Sequence, residues 1–97
     1  MLPLQFADLE MGLRAVLAVD DQVQEAQARC LVSEAHESHV HRAATGRPHP
    51  AYGNGTLYAA ALASGAVARP AALGPAELRA LQRLIAALLS AAEHQTA

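Results

Sequence analysis

The amino-acid sequence predicts an all-α protein, a small helical bundle with one long central helix, expected to be oligomeric. Three observations carry that expectation. About a quarter of the chain is alanine, the strongest helix former. β-branched residues are few (six valines, one isoleucine, three threonines), and no stretch alternates apolar and polar residues over strand length. Finally, Asp21 to Thr45 runs without a glycine or proline and stops at Gly46, with Pro48 just beyond.

The 97 residues are read as one helical domain, residues 1–97. A first helix is expected from about Asp8 to Val19, with Asp8 as N-cap and Leu9, Leu13, Val16 and Leu17 on one face. Gly12 weakens it by roughly 1 kcal/mol relative to alanine. The long helix is expected over about 21–45, a rod of about 37 Å at 1.5 Å per residue. It opens at a capping-box spacing, Asp21 with Gln24. At 100° per residue Ala28, Leu31, Val32 and Ala35 form one stripe, and Val23, Ala26 and Cys30 lie nearly opposite. Two apolar sides mean two neighbours, which are either both within the bundle or one within it and one on another subunit.

A motif loop, 46–56, leads into a short helix from about Thr56 to Ser64, closed by Gly65. Leu57 and Ala61 face one way and Tyr58 and Leu62 another, the pattern of a buried helix. Residues 66–74 form a linker around Pro70 that would let the last helix swing. That helix is expected over 75–93, with Pro75 at its first position. Leu78, Leu81, Leu84, Ile85, Leu88 and Leu89 cover an arc of roughly 140°, opposite Arg79, Gln82, Arg83 and Glu93.

Alanine buries little surface, so a core built from it stabilises less per residue than one of leucine and phenylalanine. Self-association is the expected remedy, through Val23, Ala26 and Cys30 or through Leu81, Ile85 and Leu88. Cys30 is the single cysteine, which excludes an internal disulfide and fits a reducing compartment. The start meets Asp8 and Glu10 with no basic run and is not read as a signal peptide. The longest uncharged run, Pro48 to Ala68, holds two prolines and three glycines and is not read as a membrane span. A cytoplasmic protein is expected.

No catalytic constellation emerges, and neither an enzyme nor a cofactor is expected. His36-Glu37-Ser38-His39 is one residue short of the zinc-protease spacing, and His41 points about 140° away from His36. No metal site is expected; solvated helix histidines are the plainer reading. Cys30 reads as a small buried apolar residue, and Ser33, Ser38 and Ser64 lack the strand–turn–helix context of a nucleophile. Glu34 and Glu37 lie a turn apart on a solvated face. Gly53-Asn54-Gly55-Thr56 opens a helix without the Walker lysine, and the chain contains no lysine at all.

The formal charge is −2, which is not the footprint of a tight, sequence-specific DNA reader. One local segment differs. Between His36 and His49 stand Arg42, Arg47 and four histidines against the single acid Glu37. It serves either as favourable charge at a helix C-terminus or as a contact for phosphate or an acidic partner.

The string Arg42-Ala43-Ala44-Thr45-Gly46-Arg47-Pro48-His49-Pro50-Ala51-Tyr52-Gly53-Asn54-Gly55-Thr56-Leu57 resembles a family of small alphaproteobacterial proteins encoded with gene transfer agents, which looks like a divergent small terminase subunit. The resemblance spans residues 42–62, and Arg47, His49, Tyr52, Gly53, Asn54 and Gly55 match its motif. It implies a helical homo-oligomer, often a ring, that presents double-stranded DNA to a large terminase carrying the ATPase and nuclease. No family catalytic residues carry over. The first 20 residues hold only Arg14, too little for the helix-turn-helix that many small terminases carry. DNA contact is therefore expected to be weak and sequence-independent, carried by Arg42 and Arg47 with His39 and His49 as helpers. The alternative is a helical adaptor or regulatory protein with no DNA contact.

Overall fold

The computed structural model describes residues 3–96 and contains four α-helices: α1 (Phe6–Val16), α2 (Gln24–Thr45), α3 (Leu57–Ser64) and α4 (Pro75–Thr96). A single 3-10 turn, Asp21–Val23, precedes α2. Among the described residues the only strand-like pairing is an isolated bridge between His49 and Gly53. The radius of gyration, 12.9 Å, is close to the roughly 12.5 Å expected of one domain this long. α2 and α4 each have 22 residues, so no single helix dominates the bundle.

The start of α1 differs from the sequence expectation for a specific reason. Asp8 is not its N-cap but its third residue, and the carboxylate faces back: Gln5 N–H donates to Asp8 Oδ2 at 2.7 Å. The other oxygen, Oδ1, accepts from Tyr58 N–H at 2.9 Å, in the first turn of α3. A buried carboxylate thus serves the N-termini of two helices, where amide groups lack partners and the helix dipole favours negative charge.

At the start of α2, Asp21 and Gln24 do not form the anticipated box. Arg83 of α4 takes both: its Nη1 donates to Asp21 Oδ1 at 2.7 Å and to Gln24 Oε1 at 2.6 Å. The guanidinium holds the Asp21 carboxyl below its ordinary 3.8, first through that hydrogen bond and then through its charge. The end of α2 follows the sequence reading, with Gly46 at φ +72° and its N–H on Arg42 O at 2.8 Å.

Among the described residues seven of the fifteen buried apolar ones are alanine, so the helices lie close together. They approach closely at Gly12, where a Cβ would stand 2.8 Å from Leu84 Cδ2 and 3.3 Å from Leu57 Cδ2. The helix-weakening glycine is therefore what lets α1 meet α3 and α4. Leu57, Ala60 and Ala61 turn inward from α3, but Tyr58 and Leu62 are exposed, so this helix is half-buried and not enclosed. The connection to α4 is tied to α1. Arg14 Nε donates to Val67 O at 2.7 Å, Val67 N–H donates to Arg14 O at 3.2 Å, and Arg69 pairs with Glu10 at 3.4 Å. These ties oppose the free swing that the sequence had led us to expect.

On α4 the buried side is Ala80, Leu84, Ala87 and Leu88. Leu88, expected at an oligomer contact, is 7% exposed and packs in the chain's own core. Leu81 is half-buried against that core. Leu78 (51% exposed), Ile85 (40%) and Leu89 (58%) instead line the outer face.

Candidate functional site

The motif loop folds back onto the last turns of α2, and most of its distinctive residues build that fold. His49 is the hub. It pairs with Gly53 through two backbone bonds, 2.7 and 3.1 Å, and its Nδ1 accepts from Ala51 N–H at 3.0 Å and Tyr52 N–H at 3.2 Å. An acceptor Nδ1 places the neutral ring's proton on Nε2, which lies 4.0 Å from Glu37 Oε1. The ring stacks on Tyr52 at 4.6 Å and meets His41 edge-on at 5.1 Å.

The next residues cap α3. Asn54 Oδ1 accepts from Thr56 N–H at 3.1 Å and from Thr56 Oγ1 at 2.7 Å, and Thr56 Oγ1 accepts from Ala59 N–H at 3.1 Å. Two glycines let the loop close. Gly53, at φ +88°, would place a Cβ 2.7 Å from Ala59 Cβ; Gly55, at φ +97°, would place one 3.1 Å from His39 Cα.

The four residues expected to meet DNA are gathered at this end of the molecule, but they are not equivalent. Arg42 is exposed, and its Nη1 donates to Asn54 O at 3.2 Å, so it also braces the loop. Arg47 is exposed; the loop uses its backbone N–H, which donates to Thr45 Oγ1 at 3.1 Å. His39 is half-buried beneath Gly55. His49 is half-buried, and its Nδ1 is occupied by the two loop amides. Arg42 and Arg47 are the two exposed members of this set.

Of the residues expected at an oligomer contact, Val23, Ala26, Cys30 and Ile85 are exposed, on two different helix faces. Cys30 is not buried as the sequence had suggested. Its Sγ donates to Glu34 Oε1 at 3.0 Å, and that bond, with partial burial and the carboxylate's charge, pushes the thiol above its ordinary 9.0. A raised thiol has less thiolate and is a poorer nucleophile. Among the described residues no group of three or more His, Cys, Asp or Glu is placed to hold a metal ion, and no helix is long and apolar enough to cross a membrane.

One feature was invisible in the sequence. α2 and α4 run side by side in the same direction: Arg83 meets Asp21 and Gln24, and further along His94 and His36 line one cavity. Between them lies a groove whose walls come from residues almost sixty positions apart, many of them alanine or serine, so neither spacing nor composition marks them.

Comparison with curated proteins and with solved structures returns no match. One family profile does match, over residues 2–88, which is nearly the whole chain and includes all of the motif loop. The protein therefore belongs to the family described as Domain of unknown function (DUF7742).

Proposed function

We propose that this chain is a non-catalytic accessory in DNA packaging, similar in role to a small terminase subunit, that assembles with copies of itself and presents double-stranded DNA to a large terminase. The observation that carries this reading is a division of the surface. On α4, Leu78, Ile85 and Leu89 form an apolar stripe that the chain's own core leaves uncovered. At the end of α2, Arg42 and Arg47 stand exposed beside the loop whose sequence resembles the gene-transfer-agent family. Among the described residues eleven large apolar side chains are exposed, a surface suited to association. An oligomer would repeat the two arginines around a symmetric surface and meet several phosphates together.

Native mass measurement and duplex-DNA binding across a salt series test the proposal. The expected result is an oligomer that Ile85→Glu dissociates, with DNA binding that falls as salt rises by roughly 0.9 log units per phosphate per log of salt. Arg42→Gln with Arg47→Gln should weaken binding to all sequences alike and flatten the slope. A monomer that binds no DNA would refute it. An oligomer with no DNA affinity would favour the second reading, a helical adaptor, which the net charge of −2 and the internal use of His49 support.

A further inference from the structure

We propose that Asn54–Gly55 is a self-modification site, where the turn leading into α3 helps the Asn54 side chain close onto the Gly55 nitrogen and lose ammonia. Asn54 is the chain's single asparagine. The fold itself demands the residue that follows it. Gly55 stands at φ +97°, and a Cβ there would lie 3.1 Å from His39 Cα. The nitrogen next to the Asn54 side chain is therefore the least hindered one that a peptide chain can offer.

The turn also favours ring closure. Thr56 N–H donates to Asn54 Oδ1 at 3.1 Å, and this bond curls the side chain back over the Gly55 amide that lies between them. A backbone N–H can only donate, so the atom it meets is the oxygen, and the nitrogen that must leave is on the other branch of Cγ. Thr56 Oγ1 donates to the same oxygen at 2.7 Å, and its acceptance from Ala59 N–H at 3.1 Å orients that hydroxyl. As the Gly55 nitrogen attacks Cγ, negative charge develops on Oδ1, where these two donors already point. Asn54 is exposed, so water reaches it.

The step balances with water alone. The Gly55 amide gives its proton to hydroxide and its nitrogen forms the bond to Cγ. The Cγ–Nδ2 bond then breaks, and the departing nitrogen takes a proton from water to leave as ammonia. Water opens the cyclic imide at Cγ to give aspartate, or at the Asn54 carbonyl carbon to give isoaspartate. Nothing is oxidised or reduced. Either product adds one negative charge to a chain of net charge −2, beside Arg42, whose Nη1 already donates to Asn54 O at 3.2 Å. The change is irreversible, and it lowers the positive charge at this end of α2 with time.

This goes beyond the DNA-packaging reading and is judged separately, since no nucleic acid enters the test. Intact mass of the full chain, followed over days in mildly alkaline buffer, reads the exchange of NH2 for OH. The folded chain is expected to react faster than the same chain in guanidinium chloride, because the turn holds the reacting groups together. Thr56→Val keeps the N–H and loses the hydroxyl, and should react about fivefold more slowly, the worth of one hydrogen bond to the developing charge. Thr56→Ser should match the parent, and Asn54→Ser should gain no mass. The sign separates this from simple loosening, since a weakened cap would speed a reaction limited by the stiffness of the loop. Reaction of Thr56→Val at the parent's rate or faster, a parent that reacts faster when denatured, or an equal mass gain in Asn54→Ser would overturn the proposal.

Discussion

The two long connections of this bundle are built from similar residues and behave differently. Both the stretch between α2 and α3 and the one between α3 and α4 are broken by glycine and proline, with three glycines and two prolines in the first and two glycines and one proline in the second. The first is closed by side chains: His49 gathers two amides, Asn54 and Thr56 hold each other and cap α3, and Gly53 and Gly55 lie against neighbouring helices. The second is held at a few points along α1, and its Gly65, at φ +93°, has nothing within 4 Å of where a Cβ would be. The difference teaches that a distinctive string need not be a binding string. In the motif loop the unusual residues make the loop itself, and Arg42, which also braces it, and Arg47 stand exposed beside it.

The largest expected effect comes from adding one methyl group to each connection. Gly55→Ala meets both a strained positive φ, worth about 1–3 kcal/mol, and the backbone of α2, and should destabilise by at least about 2 kcal/mol. Gly65→Ala meets the strain alone and should cost about 1–2 kcal/mol. Denaturant melts of the two variants measure the gap; equal losses would mean that the motif loop is no more tightly packed than the linker.

A smaller effect isolates the hub. His49→Phe keeps a ring to stack on Tyr52 but gives the Ala51 and Tyr52 amides no acceptor, and about 1–2 kcal/mol should be lost. Hydrogen exchange should quicken at those two amides and leave the linker unchanged. Exchange at the parent's rate would show that the stacking, and not the acceptor, holds the loop.

The smallest effect concerns the short third connection, between α1 and α2, which is tied from outside by Arg83. Asp21 titrates lower in the folded chain than its ordinary 3.8, so its contribution is present above that value and fades as pH falls through the lower folded one. Arg83→Met should therefore be less stable than the parent at pH 7, with the difference closing at strongly acid pH and shrinking in high salt. A gap that persisted at acid pH would assign the loss to Gln24 instead.

The helix ends were legible where local chemistry decides them: Gly46 with Pro48 beyond α2, Thr56 and Gly65 around α3, and Pro75 opening α4. They were illegible where a distant residue intervenes. Asp21 looked like a box partner for Gln24, and Arg83, 62 positions away, took it. The buried face of α4 was misplaced by roughly a quarter turn at 100° per residue, because the large side chains marked the arc while the alanines marked the contact. Ala80 and Ala87 are inside because two helices come close there; Ile85 and Leu89 are outside although they are larger. Of the cationic site, its position at the end of α2 could be read from charge alone. The commitment of His49 could not, since it depends on the loop turning back to bring two amides to one ring nitrogen.

Asp8 ties together events that are distant along the chain. Its bond from Gln5 forms as soon as α1 starts, whereas the bond from Tyr58 needs a segment 50 residues later. Until that segment arrives, half of the carboxylate's hydrogen-bonding capacity belongs to water, and stripping the water away would leave a bare charge. Dehydration of Asp8 and arrival of α3 are therefore one step, and the whole of α2 must already be looped out between them. The two helices that share this residue should gain and lose protection from solvent exchange together, as a single cooperative unit, while the outer turns of α4 open on their own.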